Sequence, residues 1–431
     1  MNNKVITATS TGIAHNGAAR CDIGGIPLYV HGMLPNETAV IDMTRKHGVM
    51  IGEIKEFIEI SPHRKAPEEL HYLSCSPWQV VQYPTQAALK QEILNDLYAY
   101  YDDAPKVAFT PAEQYYGYRT KAEFSFTDRD GIGGDTPLAL AYHIRNAGKS
   151  RVPLPEGCAL LSDNMNRIAL AICGKLRDLK LTAYELKALT VRESKTTNSC
   201  IAILYVKEKD IPRFSIDDIP GLDGIEIWYS THRSPAAVKT ELLFESGSHT
   251  LTEVIDDVAL HYPSDGFFQN NIPVFKKAAQ RMLEFLPEGT DLLELYSGVG
   301  TIGLLLAKKA KKVHGVEINA SSVALAEENA QVNNITNYTA ECLPAEKINT
   351  ELIAAHETLL LDPPRAGLHP KLIKHIKEAG PDTIIYLSCN PETQARDVAD
   401  LKESYKITHI EGFDFYPQTP HCESLVVLKK R

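Results

Sequence analysis

Short alternating stretches of apolar and polar residues fill the first sixty positions of the chain. Strands are predicted at residues 27–32, 39–43 and 49–58, with turn signals between them. Several short strands at close spacing are typical of a small β-barrel. Ser61–Arg64 has the composition of a linker. We therefore expect a separate β-barrel domain over residues 1–61.

Helical and strand patterns are mixed in the middle of the chain. Apolar residues recur with helical spacing in two segments, whereas three shorter segments alternate as strands do. Two of these strands flank the glycine-rich residues 128–134, which is the pattern of a β-hairpin. The predicted helices are Gln86–Tyr101 and Leu160–Leu176, and the predicted strands are Lys121–Thr127, Leu138–His143 and Ser199–Val206. We expect a linker and an α+β domain over residues 62–250.

From about Thr290 onward, continuous apolar strands alternate with amphipathic helices. This alternation predicts a parallel sheet covered by helices on both faces, the Rossmann-like α/β architecture. The predicted strands are Asp291–Tyr296, Lys312–Glu317, Thr358–Leu361 and Thr383–Leu387, and the predicted helices are Ile302–Ala310, Ser321–Gln331 and Pro370–Glu378. We expect the C-terminal α/β domain to span residues 251–431.

Composition and charge narrow the class of protein. The chain has 431 residues, of which 44% are hydrophobic and 23% charged, as in ordinary globular proteins. A net charge of −10 argues against a protein that coats nucleic acid, although a local basic face remains compatible with it. Met1–Ser10 has no secretory pattern, and no apolar run reaches the length of a membrane span. We expect a cytoplasmic protein without a membrane segment.

The cysteines show no metal-binding pattern. No C-x-x-C pair and no cysteine–histidine cluster with zinc spacing is present in the sequence. The eight cysteines are Cys21, Cys75, Cys158, Cys173, Cys200, Cys342, Cys389 and Cys422. We predict free thiols in a reducing compartment and no metal ligands.

A glycine-rich turn points to a nucleotide cofactor. Gly298, Gly300 and Gly303 form a G-x-G-x-x-G pattern between a predicted strand and a predicted helix. Such a turn lets the backbone approach a cofactor closely, and Glu317, at the end of the next strand, is placed to bind ribose hydroxyls. This spacing by itself fits NAD and S-adenosylmethionine equally.

Two later loops also follow predicted strands, at the edge of an α/β sheet where ligands bind. Asp362-Pro363-Pro364-Arg365 is a stiff loop that does not belong to the usual dehydrogenase pattern, so it favours a methyltransferase. Cys389 follows the strand that begins at Thr383. We therefore expect Asp362 and Cys389 to face ligands at the same edge.

Together, these segments resemble the RNA uracil-5 methyltransferases, which act on 23S rRNA uridines or on the tRNA T-loop uridine. The catalytic half carries the matching segments in the family's order: 267–271 (FFQNN), 293–304 (LELYSGVGTIGL), 316–330 (VEINASSVALAEENA), 360–370 (LLDPPRAGLHP), 386–397 (YLSCNPETQARD) and 415–425 (FYPQTPHCESL). Residues 7–60, with GIAHNGAAR and GMLPNETAVI, resemble the TRAM domain, an OB-like RNA-binding barrel. The resemblance implies S-adenosylmethionine as cofactor and RNA as partner, and we expect a monomer.

The resemblance implies that Cys389 is the nucleophile. Carbon 5 of uracil is a poor nucleophile, and thiolate addition at carbon 6 makes it able to attack a methyl sulfonium. Because a free cysteine has a pKa of about 8.5, we expect positive charge near the thiol, with Arg365 and Arg396 as candidates. Glu423 is the implied base that removes the carbon-5 proton, and His421 is a rival for this role.

The implied cofactor contacts are the side chains or backbone of Gln269, Tyr296, Gly298, Gly300, Glu317 and Asp362. Val299 stands where the family often has an asparagine, so that contact is lost or replaced by backbone. Many rRNA-acting members also carry a four-cysteine iron–sulfur motif. In this chain Cys75 remains, whereas Trp78 stands at the position of a second cysteine. We predict no iron–sulfur cluster, because such a cluster needs four protein ligands.

The target we expect is a uridine of 23S rRNA, in a loop or a single strand, and a tRNA T-loop uridine is the alternative. An RNA cytosine-5 methyltransferase is disfavoured because the Asp362–Arg365 loop holds no cysteine. An NAD-dependent oxidoreductase would give Cys389 and the barrel no role. Intact Cys389 and Glu423 argue against a non-catalytic RNA-binding protein.

Overall fold

The structure is a computed structural model, and it describes residues 4–46, 48–101, 104–129, 134–144, 150–234 and 237–431. Its contacts divide the chain into two compact units. Unit 1 comprises Met1–Tyr115, Asn349–Ala354 and Leu359–Arg431, and unit 2 comprises Tyr116–Ile348 and Ala355–Thr358. The division into domains at residues 61 and 250 stays a prediction.

Unit 1 begins with a closed five-stranded barrel, as predicted from the alternating pattern. Its strands are β1 (Lys4–Ile13), β2 (Ala19–Ile23), β3 (Ile26–Val30), β4 (Thr38–Lys46) and β5 (Val49–Glu59). They follow the order β1-β2-β3-β5-β4, and β1 pairs with β4 to close the barrel. Leu28, Val30 and Ile41 are fully buried inside it. A Cβ on Gly52 would lie 2.4 Å from Cγ2 of Ile41, so this interior position requires glycine.

Three elements follow the barrel in unit 1: α1 (Tyr72–Cys75), α2 (Tyr83–Tyr98) and β6 (Ala108–Thr110). Helix α2 starts and ends three residues before the predicted Gln86–Tyr101. Pro84 lies in its first turn, where proline is well tolerated because no backbone donor is needed there. Two polar residues of α2, Gln86 and Lys90, are completely buried.

Unit 2 opens with a seven-stranded sheet and one helix, in agreement with the α+β prediction. Its elements are β7 (Lys121–Arg129), β8 (Asp135–His143), β9 (Arg151–Pro153), α3 (Asp163–Asp178), β10 (Leu186–Glu193), β11 (Cys200–Val206), β12 (Gly224–Tyr229) and β13 (Glu241–Gly247). The strand order is β13-β12-β11-β10-β7-β8-β9. The predicted hairpin is present as β7 and β8, and residues 130–133 of its turn lie outside the described residues. Helix α3 starts after Ser162, whose Oγ accepts a hydrogen bond from the Met165 amide.

The rest of unit 2 alternates strands and helices. Its elements are β14 (Thr250–Ile255), β15 (Val258–Pro263), α4 (Ile272–Phe285), β16 (Asp291–Leu295), α5 (Thr301–Leu306), β17 (Lys312–Glu317), α6 (Ala320–Val332) and β18 (Tyr338–Cys342). Strands β16, β17 and β18 are parallel neighbours, as predicted. Helix α5 ends four residues before the predicted Ala310. Short 3-10 helices lie at Ile216–Asp218 and Ala345–Lys347.

The C-terminal part of unit 1 carries the remaining elements: α7 (Thr350–Ala354), β19 (Thr358–Leu361), α8 (Pro370–Ala379), β20 (Thr383–Ser388), α9 (Pro391–Leu401), β21 (Tyr405–Phe413) and β22 (Glu423–Lys430). The strand order there is β19-β20-β22-β21-β6. Strand β22 runs antiparallel to both β20 and β21, so the expectation of a purely parallel sheet is wrong at this end. Only residues 414–422 join β21 to β22, and a parallel pair would need a longer crossover connection.

The longest helices of the described chain, α2 and α3, have 16 residues each. No described helix combines the length and the apolar composition that crossing a membrane requires.

Candidate active site

Cys389 and Glu423 are neighbours at one end of the β20–β22 pair. The antiparallel register places Ser388, the last residue of β20, opposite Ser424 of β22. Cys389 is the next residue after Ser388, and Glu423 is the residue before Ser424, so both lie at the same end of the ladder. The two residues predicted to be nucleophile and base are thus brought together. Glu423 is the first residue of β22 and is buried.

Buried Glu423 and partly exposed Asp362 form a pair of acids in unit 1. Burial, followed by the charge of Asp362, raises the pKa of Glu423 to about 8. A hydrogen bond from the Tyr416 hydroxyl to Glu423 Oε1 (3.1 Å) and the charge of Arg365 oppose this increase. Burial also raises the pKa of Asp362, which follows β19, to about 7. Both acids can therefore exchange a proton near neutral pH.

The surroundings of Cys389 favour its protonated thiol form. Burial, followed by the charges of Glu423 and Asp362, raises the pKa of Cys389 to about 12, although Arg365 lowers it. Arg365 thus supplies part of the positive field expected near the thiol, but burial and the two acids outweigh it. Arg396 does not supply such a field, because its guanidinium bonds Asp397 Oδ1 at 2.7 Å and the Ala366 carbonyl at 2.9 Å. The thiol needs an acceptor for its proton before it can act as a nucleophile.

These pKa shifts predict how activity depends on pH. Both Cys389 and Glu423 act in their deprotonated forms, and the pKa of each is raised, so kcat/KM should increase as the pH rises. We expect an increase of up to about tenfold per pH unit between pH 6 and pH 8 if Glu423 limits the rate. Single-turnover methylation over this range tests the expectation.

Tyr416→Phe is the matched variant for this pH profile. It removes the hydrogen bond that lowers the pKa of Glu423, so the profile should move to higher pH. A flat profile between pH 6 and pH 8 in the unaltered protein would contradict the assignment of Glu423 as the base.

Helix α2 holds the loop that leads to Glu423, which we call the base loop (residues 414–422). The Lys90 ammonium bonds Asp414 Oδ1 at 2.6 Å and the Tyr416 carbonyl at 3.1 Å. The Gln86 side chain donates to Gln418 Oε1 (2.8 Å) and accepts from the Gln418 amide (2.9 Å). The sequence pattern did not predict these contacts, because they join residues more than 300 positions apart.

Replacing Lys90 with methionine should destabilise unit 1 strongly. Lys90 and Asp414 are both completely buried, so the substitution leaves the Asp414 carboxylate without its cation. Losses from breaking buried pairs are typically about 3–5 kcal/mol. The free energy of unfolding from urea titrations measures the loss, and Lys90→Met combined with Asp414→Asn should recover part of it.

The exposed Lys374 on α8 offers a control for this substitution. Its side chain is 74% exposed, so Lys374→Met should change the free energy of unfolding by no more than about 0.5 kcal/mol. A Lys90→Met protein as stable as the Lys374→Met protein would show that the buried pair contributes little.

A cleft of about 180 Å³ opens beside Cys389. This volume is below the roughly 300–1,000 Å³ of most small-molecule sites, and it suits part of a nucleotide. The cleft is lined by His15, Asn16, Ile93, Leu97, Arg365, Cys389, Asn390, Pro391, Glu392, Pro420, His421 and Cys422. His421, the rival base, is therefore also at the cleft. Its ring contacts the Tyr416 ring edge-on, with 6.5 Å between the centroids.

The glycine-rich turn of unit 2 has the backbone conformation that glycines permit. Gly298 and Gly300 have φ angles of 55° and 81°, and Tyr296 also has a positive φ of 65°. A Cβ on Gly298 would meet no atom within 4 Å, so the chain is open at this point. The Glu317 carboxylate accepts hydrogen bonds from the amides of Gly298 and Asn319, both at 3.0 Å. The glycine-rich turn and the Glu317 carboxylate are thus joined by a hydrogen bond in unit 2.

Two further residues singled out in the sequence, Gln269 and Val299, lie in unit 2. Gln269 is buried, and its carbonyl accepts a hydrogen bond from Thr120 Oγ1 at 2.8 Å. Val299 is buried and its carbonyl accepts from the Asn329 side chain at 3.0 Å, so its backbone is used within the fold. Neighbouring Phe268 stacks on Tyr262 with 3.9 Å between the centroids and belongs to the core.

Unit 1 also brings three potential metal ligands close together. The ligand atoms of Glu69, His71 and Cys75 lie within 4.8 Å of one another. Gln79 donates a hydrogen bond to Glu69 Oε2 at 2.8 Å, and His71 Nε2 lies 3.1 Å from Glu69 Oε1. All eight cysteines are free thiols. The absence of a metal site and of an iron–sulfur cluster stays a prediction.

Comparison with known proteins identifies the family. The sequence profile of the tRNA (uracil-5-)-methyltransferases matches residues 82–431 of this chain. The chain belongs to this family. A tRNA (uracil(54)-C(5))-methyltransferase of Pyrococcus abyssi is 29% identical, over 86% of this chain and 88% of its own length. An uncharacterised RNA methyltransferase of Lactiplantibacillus plantarum is 30% identical, over 94% of this chain and 88% of its own length.

The fold also has a match among solved structures. The crystal structure of the Pyrococcus abyssi tRNA (uracil-54, C5)-methyltransferase, in complex with S-adenosyl-L-homocysteine, has a TM-score of 0.81 to this chain. The match covers 98% of this chain and 100% of that chain, at 24% identity. The predicted family is thus confirmed, and the protein is an RNA (uracil-C5) methyltransferase. These findings do not support the two alternative hypotheses, an NAD-dependent oxidoreductase and an RNA cytosine-5 methyltransferase.

Proposed function

We propose that the protein methylates carbon 5 of a uridine in RNA through a covalent bond between Cys389 Sγ and carbon 6 of the base. The β20–β22 register carries this proposal, because it puts a half-buried thiol beside a buried acid at the rim of a small cleft. A thiol and an acid are the two groups that methylation at carbon 5 of uracil requires.

The first part of the reaction uses Cys389. Its thiol loses a proton, and the sulfur forms a bond to carbon 6, which moves electron density to carbon 5 and the carbon-4 oxygen. Ionised Asp362, whose pKa is about 7, is the acceptor of that proton, so the Glu423 carboxylate stays free for the later step. Bound S-adenosylmethionine supplies the electrophilic methyl group that carbon 5 then takes up.

The second part of the reaction uses Glu423. The carboxylate removes the proton that remains on carbon 5, the electron pair re-forms the 5,6 double bond, and the carbon–sulfur bond breaks. The products are 5-methyluridine and the Cys389 thiolate, which recovers a proton. Tyr416 holds the base in position through its hydrogen bond to Glu423 Oε1.

We propose that S-adenosylmethionine is held in unit 2 by Gln269, Tyr296, Gly298, Gly300 and Glu317. The positive φ angles of the turn and the open space beside Gly298 allow a ligand to approach the backbone. Glu317 accepts two amide hydrogen bonds and is an acid at the end of β17, where ribose hydroxyls are bound in such folds. The predicted cofactor contact of Asp362 stays a prediction.

The proposal also concerns which RNA contains the target uridine. A 23S rRNA uridine is the target that the sequence led us to expect, and a base in a loop or single strand is the least costly to extrude. A tRNA uridine is a second candidate, because the Pyrococcus abyssi relative is a tRNA (uracil(54)-C(5))-methyltransferase.

The test uses the purified protein, labelled S-adenosylmethionine and total RNA from a host that lacks 5-methyluridine. After digestion, label in 5-methyluridine supports the proposed reaction, whereas label in another nucleoside overturns it. Mapping of the labelled position by sequencing then separates a 23S rRNA uridine from a tRNA uridine.

A further inference from the structure

The barrel contributes residues to the cleft that holds the nucleophile. His15 and Asn16, in the loop between β1 and β2, line the same 180 Å³ cavity as Cys389. We propose that His15 and Asn16 are specificity-determining residues that contact the RNA nucleotide bound beside Cys389. This inference rests on the proposed function, and it gives the barrel a role in choosing the base in addition to holding RNA.

The β1–β2 loop is held firmly against the base loop. Gly17 has a φ of 79°, and a Cβ at this position would lie 2.3 Å from Cβ of Pro420. Trp78 links the same parts of unit 1: its indole Nε1 donates to the Gly17 carbonyl at 3.4 Å, and its amide donates to the Gln418 carbonyl at 2.9 Å. The position of the loop therefore depends on Gly17 and Trp78.

His15 reaches the segment that follows the nucleophile. Its Nε2 lies 3.0 Å from Oε1 of Glu392, which belongs to the first turn of α9, three residues after Cys389. Both side chains are about half exposed, so their ion pair contributes little to stability. An incoming phosphate or base carbonyl can replace Glu392 as the partner of the imidazole at small cost.

Asn16 offers a hydrogen-bond donor for a base. Its Oδ1 accepts the Ala18 amide at 3.0 Å, which fixes the side chain within the loop. The NH₂ group of the same amide can donate to a carbonyl of uracil or of an adjacent base. Base edges in unstacked RNA are recognised through such contacts. The side chain is exposed and lines the cleft, as this role requires.

The test compares His15→Ala and Asn16→Asp, singly and together, with the unaltered protein. Asn16→Asp keeps the oxygen that accepts the Ala18 amide, and it replaces the NH₂ donor with a second, negatively charged oxygen. Ile26→Ala is the matched control, because Ile26 is a similarly exposed residue of the barrel and is not among the cleft-lining side chains described above. The probe is total RNA from a host that lacks 5-methyluridine, titrated against initial rates with labelled S-adenosylmethionine.

We expect the double variant to lose at least tenfold in kcat/KM for RNA, mostly through KM, and to redistribute label among uridines. The Kd for S-adenosylhomocysteine and the thermal unfolding temperature should stay at the values of the unaltered protein, and Ile26→Ala should stay within twofold in kcat/KM. Unchanged RNA kinetics in the double variant, or an equal loss in Ile26→Ala, would overturn the inference. If the unaltered protein forms no 5-methyluridine, the proposed function itself fails, and this result is distinct from a failure of the variants alone.

Discussion

Replacing Cys389 with alanine is expected to abolish methylation of RNA, with a loss of about a thousandfold or more in single-turnover rate. The reason is chemical, because without addition at carbon 6 the uracil carbon 5 cannot attack the methyl group at a useful rate. The fold should be retained, since Cys389 is partly exposed and follows the end of β20. Single-turnover assays with labelled S-adenosylmethionine measure the loss.

Cys342→Ala is the control for the loss of a thiol. Cys342 is an exposed cysteine in unit 2, outside the residues to which we assign a role, and its replacement should leave the rate within about twofold. Activity that survives in Cys389→Ala would show that the covalent mechanism is wrong, whereas the assignment to the family would stand.

Glu423→Gln is expected to stop the reaction after methyl transfer. Glutamine keeps the size of the side chain and can still accept the Tyr416 hydrogen bond, but it cannot take the proton from carbon 5. The methylated uracil should then remain bonded to Cys389. We expect labelled RNA to migrate with the protein on a denaturing gel, with product release reduced at least about a hundredfold.

The double variant Cys389→Ala, Glu423→Gln is the control for this trapped species, and it should form none. If Glu423→Gln instead releases 5-methyluridine at the normal rate, Glu423 is not the base. His421→Ala would then be tested in the same assay, because His421 lines the cleft as well.

The local elements could be predicted because their patterns are local. The bounds of β17 agree with the predicted Lys312–Glu317, and β19 agrees with Thr358–Leu361, since a buried strand is a short apolar run between turns. The barrel also followed from alternation alone. The direction of β22 could not be predicted in this way, because a buried strand has the same apolar run whether its neighbours are parallel or antiparallel.

The candidate site was predicted residue by residue, but its electrostatics were not. Motifs located Cys389, Glu423 and Asp362, whereas the charge of a thiol depends on burial and on neighbours from other strands. Lys90 shows the same limit. Its type predicts an exposed position on α2, yet it is completely buried, because Asp414 lies beside it in the fold and 324 positions away in the chain.

The place of β6 in unit 1 has a consequence for synthesis of the protein. Strand β6 pairs with β21, and Thr110 bonds Glu411, which is 301 positions later. At about 5–20 residues per second, a ribosome needs roughly 15–60 seconds to make that interval. During this time β6 and the buried face of α2 have emerged without their partners. These two elements, unlike the barrel that closes on its own strands, can therefore complete their packing only after most of the chain has been made.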